Sequence, residues 1–383
     1  MDREIKLAAV YDKNLSFLIG SGASFGVLPT LALSIKDELD ETCTIETLAT
    51  SFGEDDAKLS ALFMHYYKEC VLPAMTLSRA DIQGDVDKEL VLANYKKLLL
   101  TIFHVLSMRR SPDRRCNVFT TNYDPCISIV ADELIESGVI EFLLNDGTSG
   151  FQTRRLQAKN FSTITSQTGI FEREMVSIPQ INLVHIHGSV HWRRRDQSIL
   201  VDYRNKLPGP VLGEGLLERL RPFSTSLMDD ELSSDDLVAP EFEEDETEEF
   251  MREYKKLPIV NPTKWKFHET VFEEHYYQML RMLSYELERP NSVLITFGFS
   301  FADEHILNLV KRSLSNPKLQ VYVCCFDEAE YNRLAPILGM HPNVRFILLP
   351  DGKKLTFTAF NESVLSLKQV GAEVAAPEQS LRG

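Results

Sequence analysis

The chain has 383 residues, 44% of them hydrophobic and 25% charged, the balance of an ordinary soluble protein with one large domain or two. Its formal net charge of −15 is local in origin: 12 acidic residues and no basic one lie between Asp229 and Glu249, and without them 44 acidic residues face 41 basic ones. No apolar run approaches the roughly 20 residues that span a bilayer and no signal-peptide core opens the chain, so a cytoplasmic location without membrane contact is expected.

The six cysteines (Cys43, Cys70, Cys116, Cys126, Cys324 and Cys325) include no C-x-x-C pair. That speaks against a zinc ribbon and against a secreted disulfide framework, and leaves buried free thiols. Basic residues cluster at "RRSPDRR" (109–115) and "RRR" (193–195) but form no stripe, so direct nucleic-acid binding is not expected. The acidic stretch reads as a solvated, mobile loop, with a docking surface for a basic partner as the sharper alternative.

In chain order, the first informative segment is "NLSFLIGSGASFG" (14–26). Leu15 to Ile19 has the length of a buried strand, and Gly20, Gly22 and Gly26 remove side chains where a backbone must bend or approach something closely. Such a turn opening a helix suits a phosphate, because backbone N–H groups and the helix dipole point at it. No Lys follows, against a Walker-type triphosphatase. The G-x-G-x-x-x-G spacing is one residue longer than the dehydrogenase fingerprint, and Asp37, Glu38 and Asp40 fall in a helical-looking segment rather than at a strand end. A tight strand-to-helix connection is the plainer alternative.

Further apolar runs follow at "NVFTT" (117–121), "INLVHIH" (181–187), "SVLITFG" (292–298), "LQVYVCCF" (319–326) and "NVRFILL" (343–349). Long connections between such runs predict a Rossmann-like, doubly wound parallel sheet joined by right-handed crossovers. The expected domain covers 1–365, with a helical insertion at 55–109, irregular excursions at 141–180 and 196–266, a helix at 268–288 and a frayed tail at 366–383.

Ligands of open parallel sheets bind beyond the carboxyl ends of the strands, so the polar residues that follow each run are the candidates. These are the glycine turn; Thr121, Asn122 and Asp124; His187 and Gly188; and Gly298, Phe299, Ser300 and Asp303. Each has a structural alternative: Asn122 and Asp124 as turn formers or a helix cap, His187 as a hydrogen-bonded strand-end histidine, and Ser300 with Asp303 as a capping box. His185, His187 and His191 lack an accompanying D-x-H or H-x-H-x-D pattern, so no metal is expected. Ser21 and Ser24 lie in the turn without a G-x-S-x-G elbow, which leaves a serine nucleophile unsupported.

Taken together and in order, the motifs resemble those of sirtuin-like proteins, specifically the bacterial sirtuin-like defence NADases. "GSGAS" (20–24) is similar to the family's glycine motif, "TTNYD" (120–124) to its T-Q-N-x-D with Thr121 in place of Gln, "HG" (187–188) to its catalytic pair and "GFS" (298–300) to its G-x-S. The resemblance implies that Gly20, Ser21, Gly22 and Ala23 line the diphosphate of NAD, that Gly298, Phe299, Ser300 and Asp303 lie on the phosphate or ribose side, that Thr121, Asn122 and Asp124 flank the nicotinamide ribose, and that His187 is the base. With no cysteine between Gly188 and Cys324, the four-cysteine zinc ribbon of the deacylases has no counterpart, and water becomes the expected acceptor. The implied activity is hydrolysis of NAD to nicotinamide and ADP-ribose in antiphage defence, by a homo-oligomer gated by a HerA-type hexameric ATPase. An NAD- or ADP-ribose-binding regulatory module and an NAD-dependent protein deacylase are the alternatives.

Overall fold

The computed structural model describes residues 2–366 except Leu39, Glu54, Pro112, 169–174, 205–208 and 261–269, with Glu244 and 270–273 described in backbone only. Its centre is a seven-stranded sheet whose strands we number β1 (Asn14–Ile19), β2 (Arg115–Thr120), β3 (Leu143–Asn145), β4 (Gln180–His185), β5 (Ser292–Phe297), β6 (Gln320–Cys324) and β7 (Val344–Ile347). Their spatial order is β7-β6-β5-β1-β2-β4-β3, and every pairing is parallel.

Alternation along the strands feeds two cores. Leu15, Phe17 and Ile19 point to the face covered by α1 (Val86–Ser107) and α2 (Cys126–Glu136), against Leu98, Ile102 and Val130. Leu18, Phe119 and Leu294 point to the face covered by α3 (Thr270–Glu288), α4 (Glu304–Ser313) and α5 (Glu328–Leu338), against Leu283, Val310 and Leu334. With both faces covered, the central strands need apolar residues on each side, which is why they read as nearly unbroken runs. The fold is Rossmann-like, and the chain leaves β1 towards β2 on one side and returns to β5 on the other. That reversal is the kind of position at which open parallel sheets bind ligands beyond the strand ends.

Several connections differ from expectation. Asp37, Glu38 and Asp40 belong not to a helix but to the turn of a hairpin, Ala32–Lys36 paired with Thr42–Thr44. Leu33 and Ile35 are buried at strand spacing, and Asp40 takes a left-handed φ of 61° at the turn. The 141–180 segment supplies β3 as an edge strand of the main sheet, too short for its apolar residues to stand out. Residues 198–201 also form a strand, in a second, antiparallel sheet with Trp192–Arg195, Arg155–Leu156 and Thr148–Ser149.

The acidic stretch is not a loop throughout, because Glu244–Tyr254 is helical. Helix Glu214–Ser226 and this helix bury Leu220, Phe223, Phe250 and Tyr254 against Leu62, Phe63, Tyr66 and Tyr67 of the earlier insertion. Two segments distant in sequence thus share a third core, and amphipathic burial outweighs the charge density. Of the expected helix 268–288, residues 268 and 269 lie outside the described residues, as do 367–383 of the expected tail. Among the described residues one helix, α1, is long and apolar enough to cross a membrane, and its apolar side packs on the sheet.

Candidate functional site

Asn122 stands just beyond β2, and nearly all its polar groups are engaged. Its backbone N–H donates to Thr120 Oγ1 at 3.0 Å, and its carbonyl lies 3.1 Å from His185 Nδ1. Burial lowers the pKa of His185, so the ring is a neutral donor at this position. The carboxamide Nδ2 donates to Ser24 Oγ at 3.0 Å and to Tyr95 Oη at 3.4 Å. Ser24 in turn donates to Asp124 Oδ2 at 2.7 Å, while Asp124 Oδ1 accepts the Cys126 N–H at 3.0 Å at the start of α2. Asn122 Oδ1 is buried and has no hydrogen-bond partner among the described residues. One acceptor is therefore left over in a cluster where every other atom is committed.

His187 lies beyond β4. Its Nε2 is 3.0 Å from Asp303 Oδ2, and Asp303 Oδ1 caps α4 by accepting the N–H groups of His305 and Ile306 at 2.9 and 3.0 Å. Asp303 is therefore itself the helix cap, in place of a Ser300 capping box. With Nε2–H donated to a carboxylate, Nδ1 is an acceptor, the tautomer a base requires. The His187 backbone carbonyl accepts Val260 N–H at 2.8 Å and Tyr123 donates to Val260 O at 2.9 Å, so the strand end is clamped to the segment returning from the helical unit. Gly188 permits this approach: its φ is +82°, and a Cβ there would lie 2.1 Å from Pro258 O. The ring of Tyr276 sits 6.2 Å from that of His187, with its hydroxyl buried and its pKa raised by burial.

The glycine turn departs from the expected phosphate cradle. It opens no α-helix; a single 3-10 turn, Ser21–Ala23, leads into a loop and the hairpin. Gly20 N–H donates to Phe297 O at 3.1 Å, Gly22 N–H to Gly298 O at 3.0 Å and Ala23 N–H to Gly20 O at 3.0 Å. A Cβ on Gly20 would meet Gly298 O at 2.3 Å, and one on Gly298 would meet Ala23 N at 2.5 Å. These glycines let the ends of β1 and β5 touch, so the close approach the sequence predicts is backbone on backbone.

Of the remaining candidates, Ser21 is exposed and Thr121 is half-buried with its N–H on Ile19 O. Phe299 is buried in the second core against Phe301 at 4.9 Å, and does not join the polar cluster. Ser300 is exposed, and its carbonyl accepts from Arg333 at 2.6 Å. A cleft of about 700 Å³ lies elsewhere, in the helical unit beside His65, Leu220 and Ser224. Among the described residues no group of three or more His, Cys, Asp and Glu is placed to hold a metal ion.

Ser24 and Tyr95 are the participants that sequence reasoning missed. In the sequence Ser24 is the last residue of the glycine motif with nothing to mark its partners, and Tyr95 falls on the apolar face of α1, where its hydroxyl leaves no mark on the hydrophobic period. No known family model matches the chain, and no curated protein matches it.

Proposed function

We propose that the chain is an NAD glycohydrolase that releases nicotinamide and ADP-ribose. The observation that carries the reading is the pair of oriented acceptors beyond neighbouring strands: Asn122 Oδ1 and the His187 imidazole held by Asp303. The sirtuin-like order of the motifs adds to it.

Cleavage of the nicotinamide–ribose bond leaves an oxocarbenium-like sugar, which water attacks at the anomeric carbon with loss of one proton. Asn122 Oδ1 accepts a hydrogen bond from that water and so turns its lone pair to the carbon. His187 Nδ1 accepts a proton from a ribose hydroxyl or from the water, and Asp303 balances the imidazolium. The glycine contacts hold the ends of β1 and β5 against each other, with Ser21 exposed beside them.

In the cell this reaction depletes NAD, and the same resemblance supports an antiphage role in the cytoplasm. An enzyme of this kind is toxic unless restrained, so a homo-oligomer gated by a HerA-type hexameric ATPase is part of the proposal. Product analysis after incubation of the full chain with NAD tests the chemistry. Nicotinamide and ADP-ribose in equal amounts support it; O-acyl-ADP-ribose formed only with an acylated peptide indicates a deacylase; intact NAD with measurable binding indicates a sensing module.

A further inference from the structure

The hydrogen-bond directions around Asn122 can be assigned without seeing a proton. Asp124 accepts at both oxygens, from Cys126 N–H at 3.0 Å and from Ser24 at 2.7 Å. A serine hydroxyl has one proton and two lone pairs, so Ser24, having given its proton to Asp124, can only accept from its other neighbours. Tyr95 Oη, 2.8 Å away, must therefore be the donor in that contact, and Asn122 Nδ2 donates at 3.0 Å. Burial raises the Tyr95 pKa well above the usual tyrosine value, which keeps that proton in place. Turning the carboxamide over would set its oxygen against Ser24 and Tyr95, whose protons are already used. The amide is fixed, and Oδ1 is the one polar atom of the side chain left without a partner among the described residues, buried on a residue only 8% exposed.

We propose that Ser24 and Tyr95 are positioning residues that lock Asn122 with its carboxamide oxygen turned to the reacting group, so that whatever binds there is a hydrogen-bond donor, a water or a sugar hydroxyl. The kinetic consequence rests on the NAD-cleavage reading; the structural one does not. Tyr95 comes from α1, so the helical insertion participates in the site as well as packing against the sheet. A phosphate oxygen or carbonyl is repelled at this point, because two acceptors would face each other.

Two measurements on the full chain test this. In the first, the side-chain amide resonances of Asn122, assigned by their loss in Asn122→Ala, are followed by hydrogen exchange. The lock predicts slow exchange in the parent chain and exchange about tenfold or more faster in both Ser24→Ala and Tyr95→Phe, as expected for loss of one or two buried hydrogen bonds. Exchange at the solvent rate in the parent chain, or unchanged exchange in both variants, overturns the proposal whatever the enzyme does. In the second, nicotinamide release is resolved into kcat and KM. Tyr95→Phe keeps the buried ring and should fold as the parent does; a fall in kcat of about tenfold with KM within about twofold is expected. A parent chain that leaves NAD intact sinks the NAD reading alone, and the exchange result still decides the lock. An active parent with unchanged kcat in both variants sinks the positioning role alone.

Discussion

His187 Nε2 and Asp303 Oδ2 meet at 3.0 Å across 116 residues of sequence, and the same carboxylate caps α4 through its other oxygen. One side chain therefore fixes both the start of a helix and the tautomer of the histidine beyond β4. Asp303→Asn separates these roles. Its amide oxygen keeps the cap, so Nδ2 faces His187 and forces Nε2 to accept, moving the imidazole proton to Nδ1. Urea denaturation should change by less than about 1 kcal/mol, while nicotinamide release falls by about 100-fold or more. Equal activity in Asp303→Asn would detach the pair from the chemistry.

The contact between the β1 and β5 turns should tolerate no side chain. Gly20→Ala places a Cβ 2.3 Å from Gly298 O, and Gly298→Ala adds strain at a φ of +62° as well as a contact at 2.5 Å. Each should lower the unfolding free energy by about 2–3 kcal/mol in urea titration. Parent-like stability in both would show that the two turns can separate at no cost.

A buried amide ladder ties β2, β3 and β4 together. Asn182, fully buried, donates to Asn117 Oδ1 at 2.8 Å and to Phe161 O at 3.0 Å, and accepts from Asn145 at 3.0 Å and Gln180 at 2.7 Å. Asn182→Leu keeps a similar volume but leaves these partners buried without it, which should cost about 2–4 kcal/mol in the same titration. A neutral effect would mean that water replaces the lost bonds.

Acid should weaken the fold through its buried histidines. Burial, helped by the neighbouring His185, pulls the His191 pKa down to about 4, and His185 and His65 shift in the same direction. For His191 the unfolded chain binds a proton near pH 6.5 that the folded chain refuses until about pH 4, so its contribution is present above the upper value and is lost as pH falls through that window. Urea titrations at pH 7 and pH 5 should show a loss of roughly 1–2 kcal/mol attributable to this residue, reduced in His191→Gln. A fold that gains stability on acidification across the window would contradict the assignment.

The central strands were legible because burial on both faces makes them apolar without interruption, as in Leu15–Ile19 and Ser292–Phe297. Local rules failed where tertiary contacts decide. Leu33 and Ile35 form a strand because Ser34 and Ile35 donate to Leu227 O in a distant segment. Residues Glu244–Tyr254 are helical because Phe250 and Tyr254 find the earlier insertion. In the candidate site Asn122, Asp124, His187 and Asp303 stood out because polar residues follow several apolar runs that end on one side of the sheet, where ligands of such sheets bind. Tyr95 was hidden because a tyrosine on an apolar helix face has the same period as a leucine. The glycines of the first turn signalled close approach, but sequence does not say what approaches, and it is Gly298.

Nicotinamide release from NAD by the purified full chain, beside His187→Ala with its fold checked by circular dichroism, tests the account most directly. Release by the parent chain with an equal amount of ADP-ribose, falling by about 100-fold or more in the folded variant, is the predicted result. Release that persists unchanged in His187→Ala, or NAD left intact by the parent chain both alone and with the proposed HerA-type ATPase added, would contradict it.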